Sequence, residues 1–485
     1  MVGLTQEAAL ETEHTAEYRK RVRAAGIASL TGWAMDLYDL TIILYVATTI
    51  GPQLVPSGND MLQLSFVYVS FAVTLILRPL GSAVFGGYAD RNGRKRAMLY
   101  AVLGVGVSTA LMGAIPTYAV AGVLAPLLFL ILRMAQGVFV GGVVASTHTL
   151  GTETVSPEHR GLMSGLVAGG GAGAGAVVAS AVYFLVTSLV PDDDFSLYGW
   201  RIMFFTGLVT AAFSFFVYRH TEESPLWQGA VQVSGAAAKS SPLAEIFGRA
   251  NRGRTFVNIA IAAGGATTYY LTVGFFPTFY GKGLGIESST AAIILVIANI
   301  GVIAGGLLGG VLSDRYGRRS VILGIGIPGV VILPTLYLWM SNLGADQVIS
   351  VAVASTAIAI VMMAASAPIL IFLNERFPTS IRATGTGLCW NIGFAIGGVT
   401  PAIVTAITPG MDVVTIRLAI GISVAAIVMV LGAFIAGETK HLGLGENAGT
   451  TSTTHHTDEQ HFHSQIESAH RPRIAPEVQH TEKAT

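Results

Sequence analysis

Charge is what this chain has least of. Asp, Glu, Lys and Arg make up only 12% of its 485 residues, whereas soluble domains run at about a quarter. The 28 basic and 28 acidic residues cancel, so no overall positive field points to a nucleic-acid partner. There is one cysteine, Cys389, which excludes an intramolecular disulfide and a multi-cysteine metal cluster; in an apolar segment it reads as packing. Glycine runs are present, but no Gly-Lys-Ser/Thr follows them, so a phosphate loop and an ATP-driven pump are not predicted. A catalytic Ser/His/Asp cluster and a metal-ligand spacing are also missing. The chain therefore does not read as an enzyme, and no cofactor or metal is expected.

What remains is apolar. Hydrophobic residues make up 52%, 58 residues are glycine, and the mean hydropathy is +0.62. That is the composition of a membrane protein. A spanning helix needs roughly 20 mostly apolar residues. Such runs fall near 25–50, 62–89, 97–117, 121–148, 162–190 and 202–218, then near 256–279, 288–312, 320–341, 348–373, 384–408 and 413–436. The prediction is an all-α polytopic protein of twelve transmembrane helices in two six-helix halves, 25–218 and 255–438, joined by a linker over 219–254. Residues 1–24 read as a polar N-terminal arm, too charged for a cleavable signal peptide. Residues 439–485, with seven of the eleven histidines, read as a disordered tail. Metal binding there by His455, His456, His461 and His463 is the weaker alternative, since nothing fixes their geometry.

Basic residues in the loops set the sidedness. With the N-terminus inside, the inner arm, loops and linker hold nineteen Lys and Arg; the outer loops and helix edges hold three, Arg201, Lys282 and Arg417. Both termini are thus predicted to be cytoplasmic, in a multi-pass protein of the cell membrane.

The halves repeat. Gly86-Gly-Tyr-Ala-Asp90-Arg91-Asn-Gly93-Arg94-Lys95 returns 224 positions on as Gly310-Val-Leu-Ser-Asp314-Arg315-Tyr-Gly317-Arg318-Arg319, and Glu153…Pro157…Arg160 returns loosely as Glu375…Pro378…Arg382. A duplicated unit with an even number of helices gives parallel repeats, related by an axis along the membrane normal. The duplicated acid, glycine and arginine are the parts of a latch between neighbouring helix ends, with the glycine allowing a tight turn. Ordinary basic loops would not repeat that spacing. Gly86, Asp90, Arg91, Gly93, Arg94, Gly310, Asp314, Arg315, Gly317 and Arg318 are therefore the candidate gating residues.

Over roughly residues 25–440 the sequence resembles the major facilitator superfamily, and within it the metabolite:proton symporters. The likeness is carried by the two loop motifs and by Arg78-Pro79-Leu80-Gly81, Arg133-Met-Ala-Gln136-Gly137 with Gly141-Gly142, Gly199-Trp200-Arg201, Glu223-Ser224-Pro225, and Asn391-Ile-Gly393 with Gly397-Gly398-Val-Thr400-Pro401. Two features depart from that group. Val143 stands where many relatives carry a glutamate, and the first span reads Asp36-Leu-Tyr38-Asp39, a pattern similar to the aromatic-acid and lactate or sialate carriers. The resemblance implies proton-coupled uptake of a small organic acid by alternating access, by a protein that works as a monomer. The alternatives are a proton-driven antiporter exporting drugs or metabolites, and a sugar transporter. Exporters of the superfamily often have a Gly-Pro pair in the fifth helix, and 162–190 contains no proline.

Charges at bilayer depth are costly, so they tend to be paired and functional. Asp36 and Asp39, three residues apart, share one face of the first helix, about 17 and 21 Å along it at 1.5 Å per residue. Arg78 lies about 18 Å from the loop end of the second helix, at matching depth, and Arg133 on the fourth is the second candidate partner. A cargo carboxylate that competes for such an arginine leaves the aspartate easier to protonate, which couples acid to proton. Sugar carriers of the superfamily use a first-helix aspartate with a fourth-helix arginine in this way, and the matching positions are Asp39 and Arg133. Asp36, Asp39 and Arg133 are thus assigned to proton coupling; Arg78, Tyr269, Tyr270 and Asn391 to substrate binding. The competing reading is a permanently ionised network that only ties helices together. His148 is either a proton relay or a helix-end residue.

Overall fold

The computed structural model describes residues 2–92, 94–220, 245–377 and 381–442. Every long element among them is helical, as the apolar runs require: α1 (Val2–Tyr45), α2 (Asp60–Asn92), α3 (Arg94–Gly113), α4 (Leu124–Thr154), α5 (Arg160–Gly165, a π turn Leu166–Gly171, then Ala172–Leu189), α6 (Trp200–Phe205 and Gly207–His220), α7 (Arg252–Leu271), α8 (Ser288–Tyr316), α9 (Arg318–Met340), α10 (Val348–Ser366 with Ile369–Glu375), α11 (Arg382–Ile407) and α12 (Met411–Ala436). Backbone groups in lipid must be satisfied within the segment, and a helix does this. Ten stretches are long and apolar enough to cross a membrane. The apolar part of α3, Leu99–Gly113, is shorter, and α6 is interrupted at Thr206. The predicted twelve helices are present. The backbone of α1 runs on through most of the segment expected as a polar arm.

Each half packs its own helices, and the halves meet along two seams, α2 against α11 and α5 against α8. The glycine run of α5 makes the second seam close. A side chain at Gly169 would strike the backbone of Gly306 on α8, and one at Gly175 would strike Ala34 on α1. Small residues allow such approach where apolar lipid gives helices little drive to associate.

The two halves are bridged at both ends of the bundle. At the end carrying the loop motifs, Asp314 Oδ1 and Oδ2 accept from the backbone N–H groups of Gly161 and Leu162, each at 2.7 Å, and Asn374 Nδ2 donates to Thr152 Oγ1 at 3.2 Å. At the far end, Lys282 Nζ meets Asp60 Oδ2 at 2.6 Å, Tyr68 and Thr278 hydroxyls lie 2.9 Å apart, and Ser65 Oγ donates to Thr405 Oγ1 at 3.1 Å.

Candidate functional site

Asp36, Asp39, Arg78 and Arg133 are the only charged residues placed well inside the spans of α1, α2 and α4, and all four are buried. Of the two arginines, Arg78 meets an aspartate directly. Arg78 Nη2 donates to Asp36 Oδ1 at 2.8 Å and Nη1 to Asp36 Oδ2 at 3.1 Å. This two-point fork is the geometry guanidinium and carboxylate favour. Close packing of α2 on α4 sets the depth of Arg78. A side chain at Gly141 would strike the Arg78 carbonyl, and one at Gly137 the Thr74 carbonyl.

Arg133, the second candidate partner, forms no ion pair with Asp39. Arg133 Nη1 donates to Gln136 Oε1 at 2.6 Å and Nε to the Ser70 carbonyl at 3.4 Å, with the guanidinium 5.9 Å from the centre of the Phe71 ring. Its link to Asp39 is a relay. Gln136 Nε2 donates to Thr109 Oγ1 at 2.7 Å, and the Thr109 and Asp39 side chains both lie against Gly207 of α6. Asp39 Oδ1 has no partner among the described residues. The arrangement has a local cause: Gln136 lies three residues beyond Arg133, on the same helix face, and accepts from its guanidinium.

The second half brings aromatic and amide groups to this place. Tyr270 is 1% exposed, its ring 5.1 Å from Phe71 and 5.8 Å from Phe394. Its hydroxyl has no partner among the described residues. Tyr269 packs edge-on against Tyr270 at 5.4 Å. Asn391 Nδ2 donates to Ser82 Oγ at 3.4 Å, one turn beyond Arg78, and its Oδ1 is unpartnered. Trp33 of α1 lies 5.7 Å from Trp390 of α11, which stacks on Phe394 at 4.3 Å. Trp33, Phe71, Trp390 and Phe394, together with Thr109 and Gln136, were not selected from sequence. For Trp33 and Phe71 a signal existed: they sit one and two helical turns from Asp36 and Arg78.

The second loop motif forms a latch. Arg318 Nη1 donates to Asp314 Oδ1 at 3.0 Å, and Nη2 to Glu375 Oε1 at 3.1 Å. Gly310 abuts the Gly161 carbonyl. Arg315 is exposed, above the Tyr316 ring, and takes no part in the bridge. Gly317 has φ +107°, and a Cβ there would meet the Glu438 carboxylate. Glu438 accepts from the N–H groups of Arg318 at 2.8 Å and Ser320 at 3.3 Å, and of Thr439 and Lys440. Burial opposes its charge, yet these donors hold its carboxyl below the ordinary glutamate value. Thr439, taken as the first tail residue, is buried and donates to Glu375 Oε2 at 2.7 Å. Of the first motif, Gly93 lies outside the described residues. Gly86, Asp90, Arg91 and Arg94 are described only as helix backbone. The side chain of His148, and His455, His456, His461 and His463 of the tail, also lie outside what is described.

Comparison with known proteins places this arrangement. A family model described as Major Facilitator Superfamily matches residues 24–402. The inner membrane metabolite transport protein YhjE of Escherichia coli is 29% identical over 90% of this chain and 100% of its own length. The citrate-proton symporter of Klebsiella pneumoniae is 26% identical over 83% of this chain and 90% of its own. Among solved structures, the proton:xylose symporter XylE bound to 6-bromo-6-deoxy-D-glucose superposes with a TM-score of 0.70, at 17% identity, covering 88% of this chain and 98% of that one.

Proposed function

Because the chain belongs to the Major Facilitator Superfamily and is a multi-pass membrane transporter, we propose that it takes up a small organic acid together with protons by alternating access. The observation that carries this reading is the buried fork of Arg78 on Asp36, one helical turn from Asp39, a carboxylate with an unpartnered oxygen. Arg78 binds the cargo carboxylate, and Tyr269, Tyr270 and Asn391 complete its site. As cargo competes for the guanidinium, Asp36 loses its counter-ion and the aspartate pair gains affinity for a proton. Asp39 carries that proton, and Arg133 tunes it through Gln136 and Thr109.

Alternating access then follows from the two sets of bridges between the halves. With both termini inside, as the basic loops favour, the Asp314 latch closes the inner mouth, and Lys282 with Asp60 closes the outer one. Opening either side breaks one set while the other holds. A single copy contains the whole cleft, so the protein acts as a monomer in the cell membrane. Uptake of labelled organic acids into vesicles, with and without an imposed proton gradient, tests this. Accumulation only with the gradient supports symport. Gradient-driven efflux of acids from the same vesicles, or uptake of sugars in their place, contradicts it.

A further inference from the structure

The cleft is divided by chemistry. The spans of the second half carry Asp, Glu, Lys and Arg only at their ends, so every charge in its interior comes from the first half: two aspartates and two arginines, balanced. The second half supplies rings. Trp390 and Phe394 of α11 and Tyr270 of α7, with Trp33 of α1 and Phe71 of α2, form a continuous chain of aromatic contacts that crosses from one half to the other.

The two arginines are not equivalent toward that cleft. Arg133 is fully buried, its Nη1 engaged by Gln136 and its Nε by the Ser70 carbonyl, and its guanidinium, with Nη2 unpartnered among the described residues, lies over the Phe71 ring. Phe71 in turn packs against Tyr270 and so stands between Arg133 and the second half. Arg78 lies one turn from Ser82, whose hydroxyl accepts from Asn391 Nδ2 of the second half at 3.4 Å, and its Nε has no partner among the described residues. One guanidinium therefore faces the seam between the halves, and beside it are three buried polar atoms without partners: Arg78 Nε, the Tyr270 hydroxyl and Asn391 Oδ1.

We infer that the cargo is a monocarboxylate with an apolar body, its carboxylate on Arg78 and its body against Tyr270, Trp390 and Phe394, and that it crosses with one proton and no net charge. The inference rests on the proton-coupled reading above and deepens it. One carboxylate added to a balanced set of four charges leaves one negative charge in excess. One proton from the outer solution, taken up on an aspartate carboxylate and released to the inner solution, removes it. A second carboxylate would find no second guanidinium and would remain an uncompensated charge in a low-dielectric cleft, where isolated ions are strongly disfavoured. A zwitterion brings its own balance and would need no proton.

The test uses the full-length purified protein in liposomes that contain a pH-sensitive dye, with protein-free liposomes subtracted and the membrane potential clamped by potassium and valinomycin. Mandelate, succinate, citrate and glycine betaine are added outside at equal concentration and neutral pH. Mandelate should acidify the lumen about a hundredfold faster than succinate or citrate, the discrimination expected for one uncompensated buried charge. Its rate should be the same at zero and at inside-negative potential. Trp390→Leu should raise KM for mandelate while leaving kcat near that of the parent. Lumen acidification by succinate or citrate as fast as by mandelate overturns the monocarboxylate inference and leaves proton-coupled acid uptake standing. Faster entry of labelled glycine betaine than of labelled mandelate, or a mandelate rate that follows the potential, also overturns it. Entry of all labelled acids without acidification removes the proton-coupled reading itself.

Discussion

Arg78 on α2 holds Asp36 on α1 through both terminal guanidinium nitrogens, at 2.8 and 3.1 Å, with both side chains almost wholly out of solvent. A fork of this kind ties two helices and at the same time keeps a cation ready for an incoming carboxylate. Removing one partner strands the other charge, which for a buried pair costs about 3–5 kcal/mol. Arg78→Ala should therefore lower thermal stability of the purified protein and abolish acid uptake. Arg78→Lys, which keeps the charge but not the fork, should recover most of the stability and only a fraction of the transport. Equal transport by the lysine variant would show that charge alone suffices.

Tyr270 offers a cleaner separation of binding from folding. Its hydroxyl has no partner among the described residues, so Tyr270→Phe removes nothing the folded chain uses. Melting temperature should not fall, since deleting a buried hydroxyl without a partner breaks no hydrogen bond and removes a desolvation cost, while KM for the transported acid rises several-fold. A stability loss without a KM change would assign the hydroxyl to packing.

The relay from Arg133 through Gln136 and Thr109 to Asp39 predicts that coupling can be damaged without touching a charge. Gln136→Leu removes two hydrogen bonds, with Arg133 and with Thr109, and Thr109→Val removes the second of these, each worth about 1 kcal/mol. Each should shift the pH dependence of uptake while leaving cargo affinity near normal, and the double variant should be no worse than the more severe single one. Additive effects would mean that the two residues do not act in series.

Much of the fold was legible in the sequence, because lipid imposes length and apolarity on every span and the duplicated Asp90 and Asp314 motifs reveal the repeat. The four buried charges were legible for the same reason: Asp36, Asp39, Arg78 and Arg133 are conspicuous in apolar runs. The reach of Arg78 to the aspartates followed from matching depth, but the partner that holds Arg133 did not. Which carboxylate an arginine meets depends on helix rotation and on neutral competitors such as Gln136, and a linear pattern does not weight these. Trp33, Trp390 and Phe394 were hidden for the opposite reason, since aromatics in an apolar span look like packing until two halves bring them together. The anchoring of Glu438 and Thr439 depends on contacts more than 60 residues away in sequence, beyond any local signal.

Glu438, past the end of α12, gives a pH prediction outside the membrane. Its carboxyl is held below the ordinary glutamate value by backbone donors from Lys440, Thr439, Arg318 and Ser320, against the opposing effect of burial. A depressed folded value means that the stabilisation is present at neutral pH and is lost as pH falls below about 4, through the lowered value. Melting temperature of the parent should drop over that window, and the drop should be smaller in Glu438→Gln, which cannot titrate. Identical acid sensitivity in both would separate this contact from stability.

The central claim is that Asp39 carries the coupled proton, and its most direct test is paired measurement on Asp39→Asn in vesicles: accumulation of labelled acid under an inward proton gradient, and exchange of labelled for unlabelled acid with no gradient. The account predicts that accumulation disappears while exchange persists, because cargo still binds Arg78 but no proton travels with it. Concentrative uptake equal to that of the parent, at equal expression, would contradict it.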